Sequence, residues 1–418
     1  METPTVHRRG GYFLFVWEEA QVAADVRRVH ESGDHMKADV TWRSTAPGEA
    51  PHLHAGVLSL TSTSAKDRLA QSLQKQHADK AWSSIVEQLA YTVVRDHRRG
   101  DPIVSLRTSG DGQPAIPLAV GPFIYEGLPF VLFGEPGAGK SYLGVLLAAL
   151  AATCARIPGV PFASARQFVP LYLDWESHER DLSCRLRQIE RGLGQSLDGK
   201  VHYRFCGGAL ARSVDQILEA TVELAPDMLI IDSLGPAAGG DLNSPQSAQE
   251  FFEALREFRC TSIILAHCAK NGDRGSRSIF GSQFFTAHAR GIAEIKRFQE
   301  AGDCEVSVGV YHRKSNVSRM WKPFGLRMRF DTEGGSVSFA SQDLRKVPSL
   351  AAELSVGARI LDALRGGSLA PAQIAEATEV AGGTVRKELS RLCAKGAAIK
   401  LGDGRYGVRA IEDENVPF

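Results

Sequence analysis

Residues 134–141 read Gly-Glu-Pro-Gly-Ala-Gly-Lys-Ser, and this stretch decides the fold class. Its glycines let backbone N–H groups turn inward around an anion, and a helix starting at Lys140 would add the positive end of its dipole. The spacing satisfies GxxxxGK[ST] at Gly134, Gly139, Lys140 and Ser141. In such a loop the lysine reaches the β- and γ-phosphates and the hydroxyl ligates Mg²⁺. The context agrees: residues 130–133 (FVLF) form an apolar strand pattern and residues 140–154 an apolar helix pattern. The expectation is that Gly134, Glu135, Pro136, Gly137, Ala138, Gly139, Lys140, Ser141 and Tyr142 bind ATP, with Mg²⁺ as its companion.

Outward from the loop, strand and helix patterns alternate. Strands are expected at residues 170–174 (PLYLD), 201–205, 228–232 (MLIID) and 262–267 (SIILAH), with helices at 179–191, 214–224 and 246–258 between them. Short apolar runs separated by helices specify a parallel sheet covered on both faces. Beyond residue 287 come hairpin-like strands at 291–296, 305–312, 326–331 and 337–340, read as an antiparallel extension. The predicted fold is α/β, a phosphate-loop core with a mainly parallel sheet at residues 122–342.

Two further units flank it. Residues 1–100 combine strand-like runs at 12–17, 37–43 and 53–62 with helical periodicity over 65–98, a small α+β domain. Residues 101–121, rich in Gly, Pro and Ser, read as a linker. Residues 347–410 hold helix patterns at 350–364, 371–377 and 382–395, then two short strands around Gly402-Asp403-Gly404-Arg405. Three helices and a hairpin describe a winged helix-turn-helix, with residues 411–418 as a tail.

Composition excludes several classes. A hydrophobic fraction of 43% and a charged fraction of 23% are those of a globular chain. Lys+Arg 49 against Asp+Glu 48 gives a net charge of +1, so contact with nucleic acid has to come from local patches. Seven scattered cysteines without a CxxC pair argue for a reducing cytoplasm and against structural zinc. The most apolar run, residues 143–155, is too short to span a bilayer. No membrane partner is expected.

Two more positions bear on chemistry. Asp232 closes MLIID, at the sheet edge where phosphates and Mg²⁺ sit, and is the expected second metal group beside Ser141. Hydrolysis also needs a group that positions or deprotonates water near the γ-phosphate. Asp232 is followed by Ser233, so no acidic pair stands there. The strand PLYLDWE ends in Asp174 and Glu176, and Glu176 is the preferred base.

The ordered set GEPGAGKS, LYLDWESHERDLSCRLRQI, LIIDSLGPAAGGDLN, IILAHCAK and GSQFFTAHARGIAEIKR resembles the RecA-type ATPases of the plasmid RepA hexameric helicase family. DnaB-type helicases and the RadA/KaiC group are relatives. The likeness spans about residues 115–340. It implies a RecA-like core and a homo-oligomer, commonly a six-membered ring. By this resemblance Glu176 is the catalytic glutamate, and His267 the sensor that reports the γ-phosphate. Arg290 is the arginine presented to the neighbouring subunit's ATP. YHRKSNVS (311–318) resembles the Lys-x-Arg segment of DnaB-type proteins, yet reads Lys314-Ser315-Asn316. Either Arg290 or the displaced Arg313 beside Lys314 does that work, or trans-activation is weak.

The same likeness makes two polar segments, residues 235–247 and 268–283, into channel loops for single-stranded DNA. The second carries Lys270, Arg274 and Arg277, suited to phosphates. The first has no Lys or Arg. In the C-terminal unit, Arg386, Lys387 and Arg391 would face DNA. These features imply an ATP-hydrolysing motor acting on DNA, a helicase or translocase of the replicative type. The alternative is an ATP-switched regulator or loader that binds DNA or a partner without unwinding.

Overall fold

The structure is a computed structural model describing residues 2–100, 103–105, 116–268, 279–281, 283–331 and 333–408. The N-terminal unit is a five-stranded antiparallel meander, β1 (Thr5–Arg9), β2 (Tyr12–Trp17), β3 (Val22–Ser32), β4 (His35–Ser44) and β5 (His52–Ser59). Two helices follow, α1 (Thr63–Gln76) and α2 (Trp82–Arg99). The periodicity expected to run through residues 65–98 is broken between them. Trp82 turns into the core there, fully buried, and donates Nε1–H to the His77 carbonyl. Phe15, Trp17, Trp42 and Trp82 line that core in a continuous series of ring contacts.

A short hairpin, β6 (Leu118–Val120) and β7 (Ile124–Tyr125), leads into the core. There the chain runs β8 (Pro129–Gly134), α3 (Lys140–Thr153), β9 (Pro170–Asp174), α4 (Glu179–Leu193), β10 (His202–Phe205), α5 (Leu210–Ala220) and β11 (Met228–Asp232). It continues through α6 (Leu234–Ala238), α7 (Pro245–Glu257), β12 (Thr261–His267), α8 (Gln283–His288) and β13 (Gly291–Phe298), then β14 (Glu305–Ser315), β15 (Phe324–Asp331) and β16 (Ser336–Gln342).

These strands form one sheet in the order β10-β9-β11-β12-β8-β13-β14-β15-β16. The first six are parallel, which is the RecA-like order, with β12 and β11 between the loop strand β8 and β9. The antiparallel part begins only at β14. The strand at residues 291–296, expected to open the antiparallel extension, instead pairs parallel with β8, because α8 carries the chain back to the start of that strand. Both faces are covered by apolar clusters, one under α3 and α4 and the other under α5, α6, α7 and α8. Crossing α4 over β16 requires Gly192, where a Cβ would lie 1.9 Å from the Val337 carbonyl oxygen.

The expected channel loop at residues 235–247 is helical at both ends and narrows to residues 239–244: α6 occupies its start, and Ser244 with Pro245 opens α7, Ser244 accepting from the Gln246 N–H. A side-chain cap and a proline in the first turn start a helix in an otherwise polar stretch. Within the second expected channel loop, Lys270, Arg274 and Arg277 lie outside the described residues, as do residues 411–418.

The N-terminal unit docks on α5 and α7. Tyr12 joins the apolar cluster of the core, Arg27 pairs with Glu219 at 2.6 Å, and a Cβ on Gly10 would meet Glu257 at 2.7 Å. At the other end, α9 (Pro348–Ala351) is followed by α10 (Val356–Arg365), α11 (Pro371–Thr378), α12 (Gly382–Ala394) and a two-stranded hairpin, β17 (Ala398–Lys400) and β18 (Tyr406–Val408). The helix pattern read across residues 350–364 is split because Ser355 caps α10 through the Ala358 N–H. Among the described residues no helix is long and apolar enough to cross a membrane.

Candidate functional site

The parallel register aligns four strand ends. Gly134 faces His267, Asp232 faces Leu265 on one side and Asp174 on the other, so the side chains of interest emerge along one edge of the sheet. From β8 the chain turns through residues 135–139 into α3. Gly139 has φ +88°, a left-handed conformation that favours glycine, and a Cβ there would press on Met328 Cε at 3.2 Å. Gly134 has no room either, with Ile295 O only 2.6 Å from an added Cβ.

Lys140, the first residue of α3, is buried. Its Nζ donates to the carbonyls of Gly134 at 3.1 Å and Glu135 at 2.9 Å, and lies 3.3 Å from His267 Nδ1. Burial holds its pKa below the usual lysine value, against the pull of Asp232 and Glu176. A cation drawn out of water and satisfied by carbonyl dipoles is one that an anion can recruit readily.

Asp232 is 4% exposed. Its Oδ2 accepts the Tyr172 hydroxyl at 2.6 Å, and its carboxylate also meets the Ser141 hydroxyl. Burial raises its pKa above the ordinary carboxylate range. The Ser141 hydroxyl and the Asp232 carboxylate thus converge as two hard oxygen donors, a set that suits Mg²⁺.

The two carboxylates after β9 part company. Asp174 is 1% exposed, and its Oδ1 accepts the N–H groups of Glu176 at 2.9 Å and Ser177 at 3.0 Å. It holds the turn. Glu176 projects outward instead, accepting the Ser233 hydroxyl, with His267 Nε2 3.6 Å from its Oε1. His267 therefore stands between Lys140 and Glu176, one ring nitrogen toward each. Tyr172 and Ser233 were not expected at the site. A tyrosine inside a buried strand was the available signal for the first, since a buried phenol needs a partner.

Other expected residues lie elsewhere. Arg290 is exposed and precedes β13, its N–H bonded to Pro129 O at the start of β8. Five residues of strand, about 16 Å at 3.3 Å each, separate that point from Gly134. Lys314 lies at the same end, its Nζ donating to the carbonyls of Thr286, Ala287 and Ala289 at the close of α8. Arg313 is held by Glu294 at 2.6 Å and approaches Glu353 at 3.8 Å. Arg290 and Lys314 thus lie at the opposite end of β8 from their own chain's phosphate loop. Arg386, Lys387 and Arg391 sit exposed on α12, while Val385, Leu389 and Leu392 point into the C-terminal core. Arg391 pairs with Glu388 at 2.9 Å. Arg297, not singled out in the sequence, donates to Gly137 O at 2.7 Å.

Residues 99–273 match the model of a family described as an AAA domain. No curated protein sequence matches the chain. Among solved structures, a KaiC-like protein from the hyperthermophilic archaeon Pyrococcus horikoshii OT3 is similar, at 16% identity over 54% of this chain and 94% of that one, with a TM-score of 0.38. The flagellar accessory protein FlaH from Methanocaldococcus jannaschii is similar at 13% identity over 52% and 90%, with a TM-score of 0.35. The family match covers residues 99–273, under half of the chain, and the strand order is that of a RecA-like α/β core.

Proposed function

We propose that the chain is a Mg²⁺-dependent ATPase whose hydrolysis drives movement on DNA. The observation that carries this reading is the chain of contacts Lys140–His267–Glu176–Ser233 across the ends of β8, β12 and β9. Lys140 and the N–H groups of residues 134–142 would bind the phosphates. Ser141 and Asp232 would hold Mg²⁺, which supplies charge neutralisation at the β- and γ-oxygens. Glu176, kept in place by the Asp174 turn and the Ser233 hydroxyl, would orient and deprotonate the attacking water. His267 touches both the phosphate-binding lysine and the base. Its strand runs directly into the segment carrying Lys270, Arg274 and Arg277, so a change at the γ-phosphate would be passed to the residues read as gripping single-stranded DNA.

The position of Arg290 supports a homo-oligomer, with a hexameric ring as the proposed form. It lies too far from its own phosphate loop to act there, and its guanidinium is exposed for a neighbour. Arg313 and Lys314 are engaged within their own chain, which favours Arg290 as the group acting in trans. The C-terminal helices and hairpin read as a winged helix, with Arg386, Lys387 and Arg391 outward toward DNA. The cytoplasm is the proposed location.

The test is hydrolysis measured with and without single-stranded DNA, followed by strand displacement on a forked duplex. Stimulation by single strands and ATP-dependent unwinding are expected. A rate indifferent to every nucleic acid refutes the DNA reading. Stimulation without unwinding selects the switch or loader instead.

A further inference from the structure

In the antiparallel pair β4–β5, Ala38 stands opposite Leu58, Val40 opposite Gly56 and Trp42 opposite His54. Positions two apart share a face, and this face is the one turned to the helices: Ala38, Val40 and Trp42 are each at most 1% exposed. On β5, the last strand of the sheet, that face is incomplete. Leu58 fills its place, but Gly56 has no side chain, and a Cβ there would find only His54 Nε2 within 4 Å, at 3.5 Å. α1 does not close the gap from the other side, because Ala65 is small and Arg68 and Ser72 stay exposed. A cavity of about 310 Å³ results, at the small end of the ~300–1,000 Å³ typical of small-molecule sites. Glycine inside a strand marks the places where a ligand approaches backbone closely.

The polar groups around the cavity are of one kind. Trp17, Trp42 and Trp82 are in ring contact in the core of this unit. Trp17 Nε1 donates to Gln88 Oε1 at 2.8 Å and Trp82 Nε1 to the His77 carbonyl at 2.9 Å. Trp42 borders the cavity, and its Nε1 is buried without a hydrogen-bond partner. A buried donor left unmade is costly. Arg68 borders the same space from α1; its Nε donates to the Ser64 carbonyl at 3.1 Å, and among the described residues it pairs with no carboxylate. Ser72 adds a hydroxyl, and no Asp or Glu lines the cavity.

We infer that this cavity binds a small carboxylate carried on a flat apolar body, a molecule of the arylacetate kind. The ring lies against the bare backbone of Gly56, between Val40 and Leu69. The carboxylate, an acceptor with about four lone-pair sites, takes the Trp42 indole N–H and the Arg68 guanidinium, a charge-assisted contact. The site belongs to the N-terminal unit and is separate from the phosphate loop.

Calorimetric titration with benzoate, phenylacetate and hexanoate, each beside its neutral amide, tests the assignment. At least one carboxylate is expected to bind with a dissociation constant of about 1 mM or tighter, and about tenfold more tightly than its amide. Its saturation should move one of the five tryptophan indole N–H resonances, the one that Trp42→Phe deletes. Gly56→Leu places a side chain in the gap at a position outside the left-handed region, and should abolish binding with the urea midpoint unchanged or raised. Arg68→Ala should level acid and amide. Lys140→Ala should bind the carboxylate as wild type does, whereas lost binding there places the anion at the phosphate loop and overturns the inference. Binding of none of the three acids, an unmoved Trp42 resonance at saturation, or undiminished affinity in Gly56→Leu also overturns it.

Discussion

Replacing Glu176 by glutamine isolates one function of one side chain. The substituted amide keeps the shape, and its oxygen still accepts the Ser233 hydroxyl that Glu176 accepts now. The backbone stays as it is, because the Glu176 N–H is held by Asp174 Oδ1 at 2.9 Å rather than by its own side chain. What disappears is the basic carboxylate facing His267. A positioned general base contributes about 10²–10⁴-fold, or about 3–5 kcal/mol of barrier. Glu176→Gln should therefore hydrolyse ATP at least a hundredfold more slowly in single-turnover assays. Its ATP affinity should remain within about threefold of wild type, since the loss falls on the transition state. Its urea midpoint should not move. Asp174→Ala supplies the contrast. Asp174 is 1% exposed and satisfies two N–H groups, so its loss should cost about 1–3 kcal/mol of stability per donor left unpaired. The reasoning is refuted if Glu176→Gln retains a rate within about fivefold of wild type while Asp174→Asn, at unchanged stability, is the slow variant.

Arg290→Ala should bind ATP normally and hydrolyse it slowly, and mixing it with Lys140→Ala subunits should restore part of the rate; no recovery on mixing excludes action in trans. Tyr172→Phe removes the 2.6 Å bond to Asp232 Oδ2 and should lower stability by about 1–3 kcal/mol, while raising the Mg²⁺ concentration needed for half-maximal hydrolysis; an unaltered Mg²⁺ dependence contradicts the pairing of that carboxylate with the metal. Gly192→Ala forces a Cβ to 1.9 Å from Val337 O and should destabilise by about 1–3 kcal/mol or more as α4 is pushed from β16, read as a fall in the urea midpoint at constant slope.

Much of the core was legible because its signals are local. A glycine-rich turn between an apolar strand and an apolar helix, and short apolar runs separated by helices, constrain a handful of neighbouring residues each. The sequence by itself therefore determined the loop at 134–141, the parallel character of the sheet through β12 and the strand-end positions of Glu176, Asp232 and His267. What it left open were matters of distance. Asp174 and Glu176 differ by two residues in sequence, yet one is sealed under the sheet edge and the other projects, because β10 and β11 flank β9 and bury the strand to its last residue. The parallel course of β13 depended on where α8 returned the chain. The engagement of Arg313 by Glu294, and of Lys314 by the end of α8, joins residues 19 to 28 positions apart. The Tyr172–Asp232 bond spans 60 positions. Patterns of period two and 3.6 say which face a residue shares; only the assembled sheet, with its register set, decides which side chains meet across it.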